Sequence, residues 1–585
     1  MKRLFLSLLT TITLISCQNK QQNSTSSVQE TKTQDSNATL FYGGTIITME
    51  KEGETTEAVV TQNGEIAFTG SLADAQKAFP NAKKHDLHGE TMMPGFIEPH
   101  VHPSIAATML PNEIIAPYDW VLPTETKKGV SGHDAYIDRI TKSIHENAKE
   151  NEMYFIWGYH PLWHGELSRD ILNKISPDIP VGIIHRSFHE IYLNDKAIEK
   201  LGITEEDFKG NPQVEWEKGH FFEGGWLALV PKMAPILLEP NRYMKGLGIM
   251  TQLIQKNGIT TIAEPDFPSS DFDGEYSLLK KEMDKNPPYS CYLIPNGTQL
   301  RGMKGGDDKA MAFMETLPET YNTSNITFLP KQVKLFADGA IYSQLMQMKE
   351  PYTDGHHGEW MTPPNELLSQ LKQYWTNDYK IHIHTNGDLA VDGIIMVVDS
   401  LQKYKARKDH RFTGHHLGYF SDAQAQRIAD LGMEASVNPY YLWALSDKYA
   451  EHGLGKDRAE NLERIKSLTD RQVPVSFHSD FSMAPIEPLT LAWTAINRIT
   501  SQGSKFSQDQ RIDVYTAMKA ITLDAARTLN LENKIGSIKK GKEADFVILK
   551  ENPFTIDPVK IKDITILGTV YKGQFHPNKA NNLKK

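Results

Sequence analysis

Pro94-Gly95-Phe96-Ile97-Glu98-Pro99-His100-Val101-His102 is the stretch whose reading decides the fold. Phe96 and Ile97 open a short apolar strand behind a Pro-Gly pair. Along a strand, residues i and i+2 face the same way. His100 and His102 can therefore offer two imidazoles to one ion from a single strand end, and neutral imidazole suits zinc and other transition metals. Two histidines near a turn are by themselves equally well explained as surface residues. The apolar strand in front of them favours the metal site.

Further along, short apolar runs alternate with helical stretches. Ile381-His382-Ile383-His384 precedes a helical pattern over 391–403, Glu434-Ala435-Ser436-Val437 is a second run, and Val473-Pro474-Val475-Ser476-Phe477 is followed by a helix over 489–498. Such alternation predicts parallel strands in βα units. Residues from about 105 to 250 are rich in Trp, His and Pro and too long for one βα connection, which predicts an insertion after the first strand. Both chain ends are β in texture. Phe41–Thr48 reads as a strand, Asn63-Gly64 as a tight hairpin turn, Ala544–Leu549 as a buried strand, and 564–575 as a final hairpin around Lys572-Gly573. One small sheet domain built from both termini accounts for this.

The 585 residues suffice for a large core plus accessory domains. A net charge of -10 with no long basic run argues against nucleic acid as a partner. At the N-terminus, Lys2 and Arg3 precede an apolar and hydroxyl-bearing run, Leu4 to Ile15, shorter than the about 20 residues of a membrane span. That pattern is an export signal. It ends Leu14-Ile15-Ser16-Cys17, which resembles the lipobox of bacterial lipoproteins; the resemblance implies lipidation of Cys17 and a place in the bacterial cell envelope, periplasmic or outer-membrane. An ordinary signal peptide that happens to end in Cys is the alternative. Residues 18–38 are polar and read as a disordered tether. Only Cys291 remains besides Cys17, so no disulfide framework is expected.

Six motifs in order bring a resemblance. The chain resembles the amidohydrolase superfamily, in its amidohydrolase-3 or YtcJ-like branch, from about residue 39 to 575. Pro94–His102 is similar to the first-strand signature and Val333-Lys334-Leu335-Phe336-Ala337-Asp338 to the block with the metal-bridging lysine. His384-Thr385-Asn386-Gly387-Asp388 is similar to the fifth-strand histidine block, His416-Leu417-Gly418-Tyr419 to the sixth, and His478-Ser479-Asp480 to the strand with the catalytic aspartate. Ile535–Phe546 is similar to the run returning the chain to its sheet domain.

The resemblance implies an α/β fold: a (β/α)8 barrel over 94–535 and a composite β-sandwich from 39–93 and 536–578, behind the signal peptide that the N-terminal pattern places over 1–17. It implies a site for one or two divalent ions, zinc foremost, held by His100, His102, Lys334, His384 and His416. Lys334 must be carboxylated to serve, because an ammonium cannot ligate a cation; an ion pair with Asp338 is the alternative. His382 shares a face with His384, and the Asn386-Gly387-Asp388 that follows favours His384, with Asp388 fixing the loop. Asp480 would be the acid/base, against a loop-capping alternative. The branch usually has Glu where this chain has His415; alternation turns His415 away from His416, where it could act on the groups behind the ligands or simply pack, and packing is favoured. Within the insertion, Arg186 and His189 resemble substrate contacts for an oxyanion or carboxylate, and Trp157 stands in a segment near the pocket; structural roles are equally open to them, and for Trp157 the core is favoured. The activity implied is hydrolysis of an amide-type C–N bond in a small molecule. Rival readings are an anchored binding module on an inactive scaffold, or a deaminase, decarboxylase or isomerase.

Overall fold

The computed structural model describes residues 37–578. Cys17, the export segment and nearly all of the tether lie outside the described residues. Eight strands form the catalytic core: β1 (Phe96–Glu98), β2 (Ile259–Phe267), β3 (Ser290–Pro295), β4 (Gln332–Phe336), β5 (Lys380–Thr385), β6 (Thr413–His416), β7 (Glu434–Val437) and β8 (Val475–Phe477). Every pairing among them is parallel. Two parallel bridges, Asn296 with Lys334 and Val101 with Phe481, join β3 to β4 and β1 to β8. The ring is thereby closed: the parallel strands read from the alternation are observed, in the α/β barrel that the resemblance implied. The core strands are buried on both faces, as parallel strands covered by helices must be.

The two ends of the chain meet in one eight-stranded sheet. Gln574–Pro577, Ile566–Tyr571 and Phe546–Leu549 lead to Thr91–Pro94, then to Ala38–Ile47, Thr55–Gln62 and Glu65–Gly70, with Lys83–Asp86 beside Ala38–Ile47. The expected sandwich is thus a single continuous sheet. A register shift between Tyr42 and Ile46 lets the first half of that strand pair with Lys83–Asp86 and the second half with Thr91–Pro94. Phe41, Val59, Ile66, Met92, Phe546 and Ile548 pack together in its core. Asn63 (φ 52°) and Gly64 (φ 87°) form the left-handed pair that a two-residue hairpin requires. Met92 and Met93 pair with Ile548 and Val547, and Gly95 N–H donates to the Asp545 carbonyl at 2.9 Å. The terminal sheet therefore runs directly into β1 and fixes where His100 emerges.

The insertion builds its own mixed sheet. Glu113–Ile114, Tyr154–Tyr159 and Val181–His185 are parallel; Glu190–Leu193, His220–Phe222 and Val214–Glu215 continue antiparallel. Helix Pro240–Lys256 then returns the chain to β2. At the N-terminal end of the barrel, Lys380 Nζ lies 2.9 Å from Glu434, which also pairs with Arg527 at 2.9 Å. Charge at that end is spent on stability, leaving the C-terminal end for chemistry.

Gly95 is required by close packing: a Cβ there would lie within 2.9 Å of Thr260 Cβ and closer still to its γ atoms. Gly95→Ala is expected to cost about 1–3 kcal/mol, read as a fall in melting temperature of the intact protein. An unchanged melting temperature would mean that β1 does not seat against β2 as described.

Candidate active site

All five expected ligands and Asp480 gather at the C-terminal end of the barrel; His100, His102, Lys334, His416 and Asp480 are buried and His384 is partly exposed. His102 is gripped from two sides: its Nδ1 lies 2.8 Å from Glu264 Oε1 and its Nε2 3.0 Å from Asp480 Oδ1. Burial favours its neutral form, but the two carboxylates outweigh burial and raise its pKa to about 10. Asp480 is also 3.4 Å from His100 Nε2 and 3.9 Å from His416 Nδ1. Burial works to raise the Asp480 pKa, yet the His102 hydrogen bond, with the charges of His102, His478 and Lys334, holds it below the usual carboxylate range. Asp480 is ionised at neutral pH.

The remaining histidines are neutral. Burial, with Lys334 and neighbouring imidazoles, holds His100, His415 and His416 well below their ordinary pKa, and His384 and His478 fall to about 3 for the same leading reason. Neutral imidazoles keep a lone pair for a metal. One ligand atom each from His100, His102 and Asp480 lies within 4.8 Å of the others, as do atoms of His100, His415 and His478. The neutral nitrogens of His100, His384 and His416 and the ionised Asp480 carboxylate fit a divalent transition metal, and His102 would join them by giving up the proton its two carboxylates hold on it.

His415 takes the less favoured of its two expected roles, acting behind a ligand rather than packing, and it does not turn away from the pocket. It points inward, and its Nδ1 lies 2.8 Å from His100 Nδ1. Alternation along β6 itself places His415 inside, opposite His384 and Ser436 on the flanking strands. His416 reaches the same pocket only because its backbone is left-handed, with φ 78°. A non-glycine residue there is strained by about 1–2 kcal/mol, and Asp480, at φ 55°, pays a similar cost. Strain of this kind concentrates at functional sites.

A chain of hydrogen bonds sets the His100 tautomer. Gln332 Nε2 donates to the Leu529 carbonyl at 3.0 Å, so its Oε1 accepts from His382 Nε2 at 2.8 Å. His382 Nδ1 must then accept from His415 Nε2 at 2.8 Å, and His415 Nδ1 from His100 Nδ1 at 2.8 Å. His100 Nε2 is left without a proton, facing Asp480. His382 belongs to this deeper layer, whereas His384 lies at the mouth, its ring 4.4 Å from that of His416. Asp338 accepts amide hydrogens from Gln347, Asn386 and Gly387 at 2.8–2.9 Å and so pins the β4 and β5 loops together; it is not the partner of Lys334. Asp388 fixes a loop, accepting from Lys349 N at 2.9 Å.

Lys334 is buried beside Asp266, Asp480 and Glu264. Burial lowers its pKa to about 8, against the pull of those three carboxylates. His189 hydrogen-bonds Glu223 at 3.0 Å, and its pKa is raised: burial lowers it, but Glu223, Glu190 and Asp480 prevail. Arg186 is buried and donates to the Met483 carbonyl at 3.3 Å. Trp157 is fully buried, packed on Trp120 and Phe188, in the insertion core. Sequence reading missed Glu264 and Glu98. Glu264 ends an apolar run, Ile259–Ala263, which was the available signal. Glu98 accepts from Ser479 N at 2.9 Å; burial raises its pKa to about 8, and it ties β1 to the loop carrying Asp480.

His415→Ala is expected to weaken zinc binding about 10–100-fold, as loss of a group orienting a ligand does, measured by competition with a chromophoric chelator. His100→Ala plus His102→Ala should remove bound zinc on elemental analysis. Unchanged affinity in the first variant would dismiss the hydrogen-bond chain, and unchanged stoichiometry in the second would dismiss the ligand assignment.

Comparison with known proteins agrees with the geometry. The family model described as Amidohydrolase family matches residues 84–576. The Bacillus subtilis amidohydrolase-type protein YtcJ is 24% identical over 564 residues, covering 92% of this chain and 98% of that protein. An N-substituted formamide deformylase from Arthrobacter pascens is 22% identical, covering 91% and 97%. Among solved structures, an uncharacterized metal-dependent hydrolase from Pyrococcus horikoshii superposes with a TM-score of 0.70 at 20% identity, covering 89% of this chain and 99% of that one. The chain belongs to the amidohydrolase family and is a hydrolase acting on carbon–nitrogen bonds.

Proposed function

We propose that the protein is a metal-dependent hydrolase that cleaves the amide-type C–N bond of a small molecule with Asp480 as acid and base. The observation that carries this reading is the ionised Asp480 carboxylate, 3.0 Å from His102 Nε2 and 3.4 Å from His100 Nε2, at the mouth of the barrel. His100, His102, His384 and His416 would hold the ion, zinc being the first candidate. Lys334 would join as a carbamate: the neutral amine adds to CO2 and releases a proton, and a pKa of about 8 leaves an appreciable share of amine for that addition. A divalent ion held there supplies Lewis acidity, acidifying water and polarising a carbonyl.

The chain's own groups do the rest. Asp480 accepts the proton of the attacking water and returns it to the departing nitrogen, so one carboxylate serves both halves of the reaction. Glu264 holds the His102 ring through Nδ1, so that Nε2, the nitrogen that would hold the ion, stays beside Asp480. Tyr441 Oη, 3.1 Å from His416 Nδ1, fixes the His416 ring. The site is buried, so these charges act in a medium where they are little screened. Formamides, N-acyl compounds and cyclic amides are the substrates to screen first, the formamides because a full-length relative is named for them.

Asp480→Asn keeps the shape and removes the proton-transfer group. Its zinc content and melting temperature should stay near wild type while turnover falls by about 10²-fold or more. Full turnover in this variant would remove Asp480 from the mechanism; failure to fold would make it a structural residue.

We further propose that Cys17 carries lipid and that residues 18–38 tether the enzyme to a membrane of the cell envelope. The support is the Leu14–Cys17 run and the polar segment behind it. Among the described residues no helix is long and apolar enough to cross a membrane, so attachment would rest on the acyl chains, each buried CH2 adding about 0.8 kcal/mol. Mass spectrometry of native protein should find acylated Cys17; a mature chain with an unmodified Cys17, or without it, would refute this.

A further inference from the structure

Helix Gly224–Leu237 of the insertion has one charge, Lys232, in 14 residues. Leu229, Met233 and Leu237 form its buried stripe, four residues apart along one face. The opposite face of such a helix is ordinarily charged. Here it is Leu227, Ala228, Pro231 and Pro235, all exposed, and Leu227 at 65% is the most exposed large apolar side chain among the described residues. Trp226, Val230 and Ile236 fill the flanks, half-buried. A helix apolar on every side belongs in a core or in lipid, and this one has protein on one side only. A membrane crossing needs about 20 residues, so the helix can only lie along a surface.

The helix begins beside the reaction centre. Glu223, the residue before it, hydrogen-bonds His189 at 3.0 Å, and His189 is near enough to Asp480 for that charge to act on it. The next helix, Pro240–Lys256, closes on Pro103–Met109, which starts directly after His102; a Cβ on Gly246 would collide with the Ala107 carbonyl. Pro240–Lys256 then runs about 25 Å to the terminal sheet, where the Lys256 and Ile566 carbonyls share Asn578 Nδ2 at 2.9 and 3.1 Å. Ala38 opens that sheet, and residues 18–37 separate it from Cys17. That length of chain spans at most about 70 Å. A bilayer holding Cys17 is therefore within reach of the apolar face.

We propose that Leu227, Ala228, Pro231 and Pro235 dock in the headgroup region of the membrane that holds Cys17, so that the barrel mouth is turned towards lipid. The proposal rests on the lipid anchor proposed above and goes beyond it in naming the surface that meets the bilayer. Proline at 231 and 235 leaves the Leu227 and Pro231 carbonyls without their helical donors. Water satisfies such carbonyls at the membrane surface, and the hydrocarbon core does not, which sets a shallow depth. Lys232, at the edge of the face, lays its stem along the apolar surface and extends its ammonium to lipid phosphate. With Cys17 anchored, docking is intramolecular, so a small apolar face suffices.

The test adds one tryptophan to the full protein and reads its quenching by lipids with brominated chains. The protein is held on vesicles of phosphatidylcholine and phosphatidylglycerol by its own acyl groups. If mass spectrometry finds none, Cys17 is coupled to a maleimide lipid instead, Cys291 being buried. In Leu227→Trp at least about half of the added emission should be lost, because an interfacial helix buries its apolar face about 5–10 Å deep. In Lys408→Trp, at an exposed position in the loop that enters β6 at the other end of the barrel, none should be lost. Ala228→Trp replaces Leu227→Trp should that variant not fold. Equal quenching at positions 227 and 408 overturns the proposal, whether or not Cys17 is acylated. So does a soluble dimer that Leu227→Glu dissociates, which would give the face to a second copy. Unacylated Cys17 with quenching confined to position 227 would refute the anchor and keep the face as a lipid-binding surface.

Discussion

Seven imidazoles crowd one end of the barrel, six of them buried, and the barrel can tolerate them only if nearly all are neutral. His100, His382, His384, His415, His416 and His478 are neutral because burial and mutual repulsion leave no room for charge. His102 is the exception, and it is charged because two carboxylates embrace it. That constraint orders much of the molecule. Gln332 is held by Leu529 so that the proton pattern can start at the barrel's floor, and Ser436 lies 2.9 Å from His478 Nδ1 one strand over. Strand closure places these partners within reach of each other, and the terminal sheet sets where β1 delivers His100.

Much of this was legible in the sequence because it is carried by local spacing. His100-x-His102 and His382-x-His384 face inward together because strand geometry has a period of two. The alternation of apolar runs and helices announced parallel strands in βα units, and Asn63-Gly64 announced its turn. Other parts were not legible, for physical reasons. Whether His415 or His416 enters the pocket depends on one left-handed φ that no periodicity reports. Glu264 becomes visible only when β2 lies beside β1 and brings it to His102, across a separation of 162 residues.

The insertion gives the site its second half. The barrel supplies the imidazoles and Asp480, whereas the turn after Val181–His185 supplies Arg186 and His189, both on the side where β8 ends. The mouth of the barrel is thus lined from two parts of the chain, the imidazoles by the ring of strands and Arg186 and His189 by the turn of a separately folded sheet.

The central claim is that the imidazole cluster is a metal centre, and anomalous diffraction from crystals of the zinc-loaded protein at the zinc edge tests it most directly. The account predicts an anomalous peak at the C-terminal mouth of the barrel, about 2.0–2.2 Å from His100 Nε2 and from a nitrogen of His102. Zinc located away from these two histidines, or no zinc in fully loaded crystals, would contradict it.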